Sequence, residues 1–147
     1  MTNGDIDQIT GQIVDAAMKL HRRLGPGLLE SVYETLLAKE LTRRGFVVER
    51  QRALDVQIDE VCYKRGIRVD LLVNGVVVVE VKSIESIARV HTMQVVTYLR
   101  LLNLPVGLLI NFGGATLREG LRRIVNDYKP TEHSLLRINR VPPREGS

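Results

Sequence analysis

Apolar residues recur at Ile6, Ile9, Ile13, Ala16, Ala17, Leu20 and Leu24, and Gly25-Pro26 follows them. A spacing of three to four stripes one face of a helix, and a Gly-Pro pair ends it. A second stripe, Leu29, Val32, Tyr33, Leu36, Leu37 and Leu41, runs from Leu28 to Arg44 and stops at Gly45. The period then changes. Phe46–Gln51 and Leu54–Asp59 are rich in β-formers, while Arg65–Val73 and Val76–Lys82 flank Asn74-Gly75, a dipeptide suited to a hairpin turn. Two helices therefore precede a β-meander. Ile87–Leu102 returns to helical spacing, and Pro105–Asn111 is a short, wholly apolar strand, so strand, helix and strand imply a parallel crossover. Leu117–Asp127 fits either a helix or a strand. Pro, Arg and Glu dominate after Tyr128, which predicts a single domain over 1–128 and a mobile tail over 129–147.

Three charges interrupt the most apolar part of this pattern. Asp70 precedes the hairpin turn, and Glu80 and Lys82 close the run Val-Val-Val-Val-Glu-Val-Lys. Buried charges are costly unless they are paired or hold a metal, so the arrangement calls for a ligand. The turn decides whether they meet. A flush two-residue turn would pair Val73 with Val76 and send Asp70 to the face opposite Glu80. A three-residue loop of Val73, Asn74 and Gly75 would instead pair Leu72 with Val76 and Asp70 with Val78, leaving Glu80 diagonal to Asp70 on a shared face with Lys82. Two carboxylates with the Val81 carbonyl and waters form an all-oxygen site for Mg²⁺ or Mn²⁺, and the His and Cys positions show no zinc spacing. Lys82 would orient a water or stabilise charge building on a phosphate. The same spacing also fits a hairpin with edge charges and a structural Glu-Lys pair.

On a helical wheel Glu30 falls between Leu37 and Leu41, within the apolar arc of the second helix. It is a candidate third metal ligand, or an acid placed in a first turn by the helix dipole. Gln94 and Tyr98 lie four apart, with His91 three before Gln94, so all three share one side of the helix after Lys82. They could hold Lys82 or a water, or contact a phosphate or base; equally, Tyr98 could fill core and His91 could be a satisfied structural histidine. Arg65, Arg68, Arg89, Arg100, Arg118, Arg122 and Arg123 are candidates for phosphate contacts or for an ordinary solvated surface.

Composition narrows this reading only a little. A net charge of +4 in 147 residues is compatible with nucleic acid without demanding it, and 4% aromatic content offers little base-stacking surface. One cysteine excludes an internal disulfide framework. Without an apolar leader or an apolar run near 20 residues, a soluble, cytoplasmic protein with no membrane partner is expected.

Taken in order, Gly27-Leu28-Leu29-Glu30-Ser31-Val32-Tyr33, Arg68-Val69-Asp70-Leu71-Leu72-Val73, Glu80-Val81-Lys82, His91 with Gln94 to Tyr98, and Gly107–Phe112 resemble the motifs of the GxxExxY family within the PD-(D/E)XK nuclease superfamily. The resemblance covers Ile6 to Asn126. It implies an α/β, restriction-endonuclease-like core, with a mixed central sheet flanked by helices. It also implies Asp70, Glu80, Glu30 and the Val81 carbonyl as metal ligands, Lys82 as the catalytic lysine, and Gln94 and Tyr98 beside it in a signature similar to that of RecB-like exonucleases. Ile67 departs from the pattern, since related sequences often carry an aromatic before the aspartate. The activity so implied is Mg²⁺- or Mn²⁺-dependent hydrolysis of phosphodiester bonds in DNA. The alternatives are an RNA-directed nuclease and a non-catalytic module that binds nucleic acid or protein through the same cleft. A domain this small has little surface to select a sequence, which favours a homodimer or a larger complex.

Overall fold

The computed structural model describes residues 2–126 and the backbone of Ile138–Arg140. Helix α1 (Asn3–Leu24) begins at Thr2, whose side chain accepts the Asp5 N–H while Asp5 bonds back to Thr2. Helix α2 (Glu30–Arg43) follows the Gly25–Leu29 turn. The remaining elements are β1 (Val48–Ile58), β2 (Val61–Val73), β3 (Val77–Lys82), α3 (Arg89–Leu102), β4 (Val106–Asn111), β5 (Leu121–Val125) and β6 (Ile138–Arg140). The strands form one mixed sheet in the order β5-β4-β3-β2-β1-β6, parallel at β3–β4 and antiparallel elsewhere. The α/β class, the mixed sheet and the parallel crossover through α3 match the expectation.

The structure alters or resolves several of these expectations. Phe46–Gln51 and Leu54–Asp59 are one strand, because Arg52, Ala53 and Leu54 stay in register with Val69, Arg68 and Ile67. The ambiguous stretch Leu117–Asp127 becomes a 3₁₀ turn at Arg118–Gly120 leading into β5. Leu29 ends up exposed as the residue that caps α2, and Val32 is exposed as well, so the buried stripe of α2 is Tyr33, Leu37, Ala38 and Leu41. The predicted tail over 129–147 lies outside the described residues except for Ile138–Arg140, whose backbone pairs with Val56–Ile58 of β1.

The sheet separates two apolar layers. On one face α1 and α2 pack on Leu71, Val73, Val77, Val79, Val81, Leu108 and Ile110. On the other, Val95, Leu99 and Leu102 of α3 cover Leu72, Val78 and Leu109 with Leu54, Val56, Ile67 and Val69. Strict alternation would put Val69 with Leu71, yet it packs with Leu72, so the facing of β2 slips at Asp70. Beside it β1 slips too, since Val48 packs on the α1–α2 layer and Leu54 and Val56 on the other.

The hairpin after Asp70 has odd parity, as a shared face requires, but it is displaced by one residue. Val73 pairs with Val77, Leu72 with Val78 and Leu71 with Val79, so the loop is Asn74, Gly75 and Val76. Asn74 and Gly75 both take positive φ and Val76 N–H bonds Val73 C=O at 3.1 Å, which is tight-turn geometry with Val76 as the extra residue. Asn74 fixes that choice by exchanging two 2.8 Å bonds with the Val47 backbone. Continued by one pair, the register sets Asp70 straight across from Glu80 instead of diagonal to it.

Downstream of β3, Asn111 is buried and its side-chain amide bonds Ile84 N–H at 3.0 Å and Ile84 C=O at 2.9 Å, holding the segment that leaves Lys82. Gly113 lets that segment pass, since a Cβ there would stand 2.2 Å from the Ile84 oxygen. Gly113→Ala should therefore lower folding stability by about 1–3 kcal/mol. Chemical denaturation of the purified variant checks this, and an unchanged midpoint would show that the Ser83–Ile84 segment moves freely aside.

Candidate functional site

The ladder between β2 and β3 ends at Leu71 and Val79, and beyond it side chains take over from backbone. Asp70 Oδ2 accepts the Val81 N–H at 2.8 Å, and the Asp70 N–H points to Glu80 Oε1 at 3.4 Å. Glu80 is 4% exposed, and the Asp70 carboxylate lies within hydrogen-bonding reach of it. Burial foremost, then the Asp70 charge and that hydrogen bond, push the Glu80 carboxyl up to about 9, against smaller opposing effects of the Asp70 N–H and Lys82. Two carboxylates in an apolar sheet thus share the site with a proton unless a cation replaces it. Lys82 follows on the same face of β3, half-buried, with no ion pair within 4 Å among the described residues.

Glu30 opens α2 and is exposed at the edge of a cleft, one of the two settings, core or cleft, that a carboxylate in the apolar arc of α2 can take. Its carboxyl is raised, chiefly by desolvation at the cleft and by Asp70 and Glu34, while Lys82 and a Ser83 backbone hydrogen bond oppose the rise. It therefore borders Lys82 and Asp70. Among the described residues, however, no group of three or more His, Cys, Asp or Glu side chains is gathered closely enough to hold a metal ion. The donor set that fits a hard cation is Asp70, Glu80 and the Val81 carbonyl, with Glu30 at its edge.

The approach of Glu30 is built by residues whose role the sequence reading did not identify. Tyr33 is fully buried and stacks on Phe112 at 4.5 Å, and its hydroxyl donates to Gly25 C=O and accepts the Leu28 N–H. Ser83 Oγ donates to Leu28 C=O at 2.7 Å. The turn before α2 is thus tied to the end of β3. Glu34, one turn after Glu30, is the buried acid of α2 and accepts from Arg50 and Gln51. A buried acid followed across the turn by a Gln in the next strand was the available signal.

On the opposite layer Gln94 Nε2 donates to Tyr98 Oη at 3.2 Å. The Tyr98 hydroxyl is raised by burial and by the Glu80 and Asp70 charges, with Arg68 and Gln94 acting against them, so it stays a neutral donor facing the carboxylates. His91 Nδ1 accepts the Ala88 N–H at 2.9 Å and caps α3. Of the candidate arginines, Arg68 lies by Tyr98, Arg123 pairs with Asp7 at 2.7 Å, and Arg122 folds onto the Glu119 and Leu121 carbonyls.

The Glu80 shift has a measurable consequence. The folded chain keeps a proton up to about pH 9 that the unfolded chain, with the ordinary glutamate value of 4.5, has released. Between those values stability falls as pH rises. In chelator, the Tm difference between Glu80→Gln, which is neutral at every pH, and the native chain should therefore move in the variant's favour on going from about pH 5 to about pH 9. Thermal melts across that range check it, and a difference independent of pH would refute it.

No curated protein and no solved structure matches the chain. Residues 7–124 match the model of the PD-(D/E)XK nuclease superfamily. By that match, over most of its length, this chain belongs to the PD-(D/E)XK nuclease superfamily.

Proposed function

We propose that this protein is a divalent-metal-dependent phosphodiesterase acting on nucleic acid, with DNA as its substrate, and that it belongs to the GxxExxY branch of its superfamily. The observation that carries this reading is the Asp70–Glu80 pair, set face to face where the ladder ends, with Lys82 beside it. Asp70, Glu80 and the Val81 carbonyl would hold Mg²⁺ or Mn²⁺, and Glu30 at the cleft edge would add a carboxylate or hold a water. The cation supplies Lewis-acid polarisation of a phosphate oxygen and neutralises charge.

The other roles belong to the chain itself. Lys82, with no ion pair among the described residues, would offer its ammonium to the attacking water or to the phosphate as charge accumulates. Tyr98, kept neutral, donates a hydrogen bond toward the same face, and Gln94 fixes the direction of its hydroxyl. Arg68 supplies a positive charge where a phosphate backbone would enter.

A non-catalytic nucleic-acid-binding module is the second reading. It is favoured by the lack, among the described residues, of a third acid gathered with Asp70 and Glu80. Linear, nicked, branched and single-stranded DNA, and RNA, incubated with Mg²⁺ or Mn²⁺ beside Glu80→Ala and Lys82→Ala, separate the two. The nuclease reading expects cleavage of at least one DNA form, its loss in Glu80→Ala, and a fall of about 10²–10³-fold in Lys82→Ala. Cleavage that both variants retain marks a contaminant. Salt-sensitive binding with no cleavage supports the module, and cleavage confined to RNA redirects the substrate.

A further inference from the structure

Gln51 sits inside β1 with φ 48°, in the left-handed region that residues with a side chain rarely enter. No residue is inserted there, because Arg50 still pairs with Leu71 and Arg52 with Val69 on either side. What changes is facing, between Val69 and Leu71 in β2 and between Val48 and Leu54 in β1, and the left-handed Gln51 lies opposite Asp70 within that span. Strain held in place by its surroundings is a recurrent feature of functional sites.

The side chain shows what the kink achieves. Gln51 Nε2 donates to Asp70 Oδ1 at 3.2 Å and also to Glu34 Oε1, while the other Glu34 oxygen takes Arg50 at 3.1 Å. Asp70 Oδ2 is already held by the Val81 N–H. Each Asp70 oxygen therefore has one fixed donor from outside the pair, which leaves the remaining lone pairs for the Glu80 carboxyl or for a cation. The hydrogen-bonded chain Glu34–Gln51–Asp70 also joins α2, which carries Glu30, to the strand that carries Asp70.

We propose that Gln51 is a positioning residue, its left-handed backbone and bridging amide orienting the Asp70 carboxylate for cation binding through the buried Glu34. This rests on the reading of Asp70 and Glu80 as cation ligands. It distinguishes Gln51 from a residue that merely satisfies a buried acid, which would affect folding and not affinity.

Gln51→Gly tests it, because glycine adopts the same φ without strain and removes the side chain with its bonds to Asp70 and Glu34. Mn²⁺ affinity, read by electron paramagnetic resonance as free ion lost on titration, is compared with Tm for the native chain, Gln51→Gly and Glu80→Ala. The expected result is affinity weakened about 10-fold or more in Gln51→Gly, the usual effect of losing a partner behind a ligand, whichever way Tm moves as relief of strain offsets the lost bond to Glu34. Equal affinity in Gln51→Gly and the native chain overturns the positioning role while leaving the cation site standing. Equal affinity in Glu80→Ala and the native chain overturns the cation site, and the positioning role falls with it. Should Gln51→Gly fail to fold, Gln51→Asn, which tolerates the left-handed region but has a shorter amide, is judged by the same outcomes.

Discussion

Beyond Leu71 and Val79 the backbone ladder of the central hairpin gives way to a carboxylate that takes the next N–H itself. That exchange puts Asp70 against Glu80, which is buried between two apolar layers where water does little to relieve its charge or the repulsion of the pair. Such a pair is stable with one shared proton or with a cation, and the proposed function takes the second possibility. Lys82 continues the same strand face. Tyr98 approaches from α3, and Glu30 approaches from the opposite layer around the end of β3.

Three separate clamps keep these pieces at one end of the sheet. Tyr33 and Ser83 pin the turn before α2 to the end of β3. Asn111 and Gly113 hold the chain that leaves β3 so that Lys82 ends in a defined place. Gln51 spans from α2 to β2. Each clamp is a side chain or a missing Cβ satisfying backbone or carboxylate groups, which is how a short apolar strand can end in charged residues without fraying.

Much of this was legible in the sequence because it depends on period and parity. The helical stripes of α1 and α3 and the apolar strand β4 follow from spacing alone. The odd hairpin loop followed from requiring Asp70, Glu80 and Lys82 to share a face. Its displacement by one residue depended on Asn74 bonding the Val47 backbone, a tertiary contact that no local pattern encodes. The wheel angle directed Glu30 to the core or to a cleft, and only the start of α2 at that residue decides for the cleft. Gln51 was the least visible, because its φ breaks the propensity from which a strand is read.

The proton on Glu80 gives the most direct access to the central claim that this carboxylate pair is a cation site. Calorimetric titration of Mn²⁺ into the native chain near neutral pH, repeated in buffers of different ionisation enthalpy, counts the protons released on binding. A Glu80 carboxyl held up to about 9 should give up close to one proton per cation bound, and Glu80→Gln should release none. Binding that releases no proton in the native chain, or the same number in both, would contradict the assignment of Glu80 as the group the cation displaces from its proton.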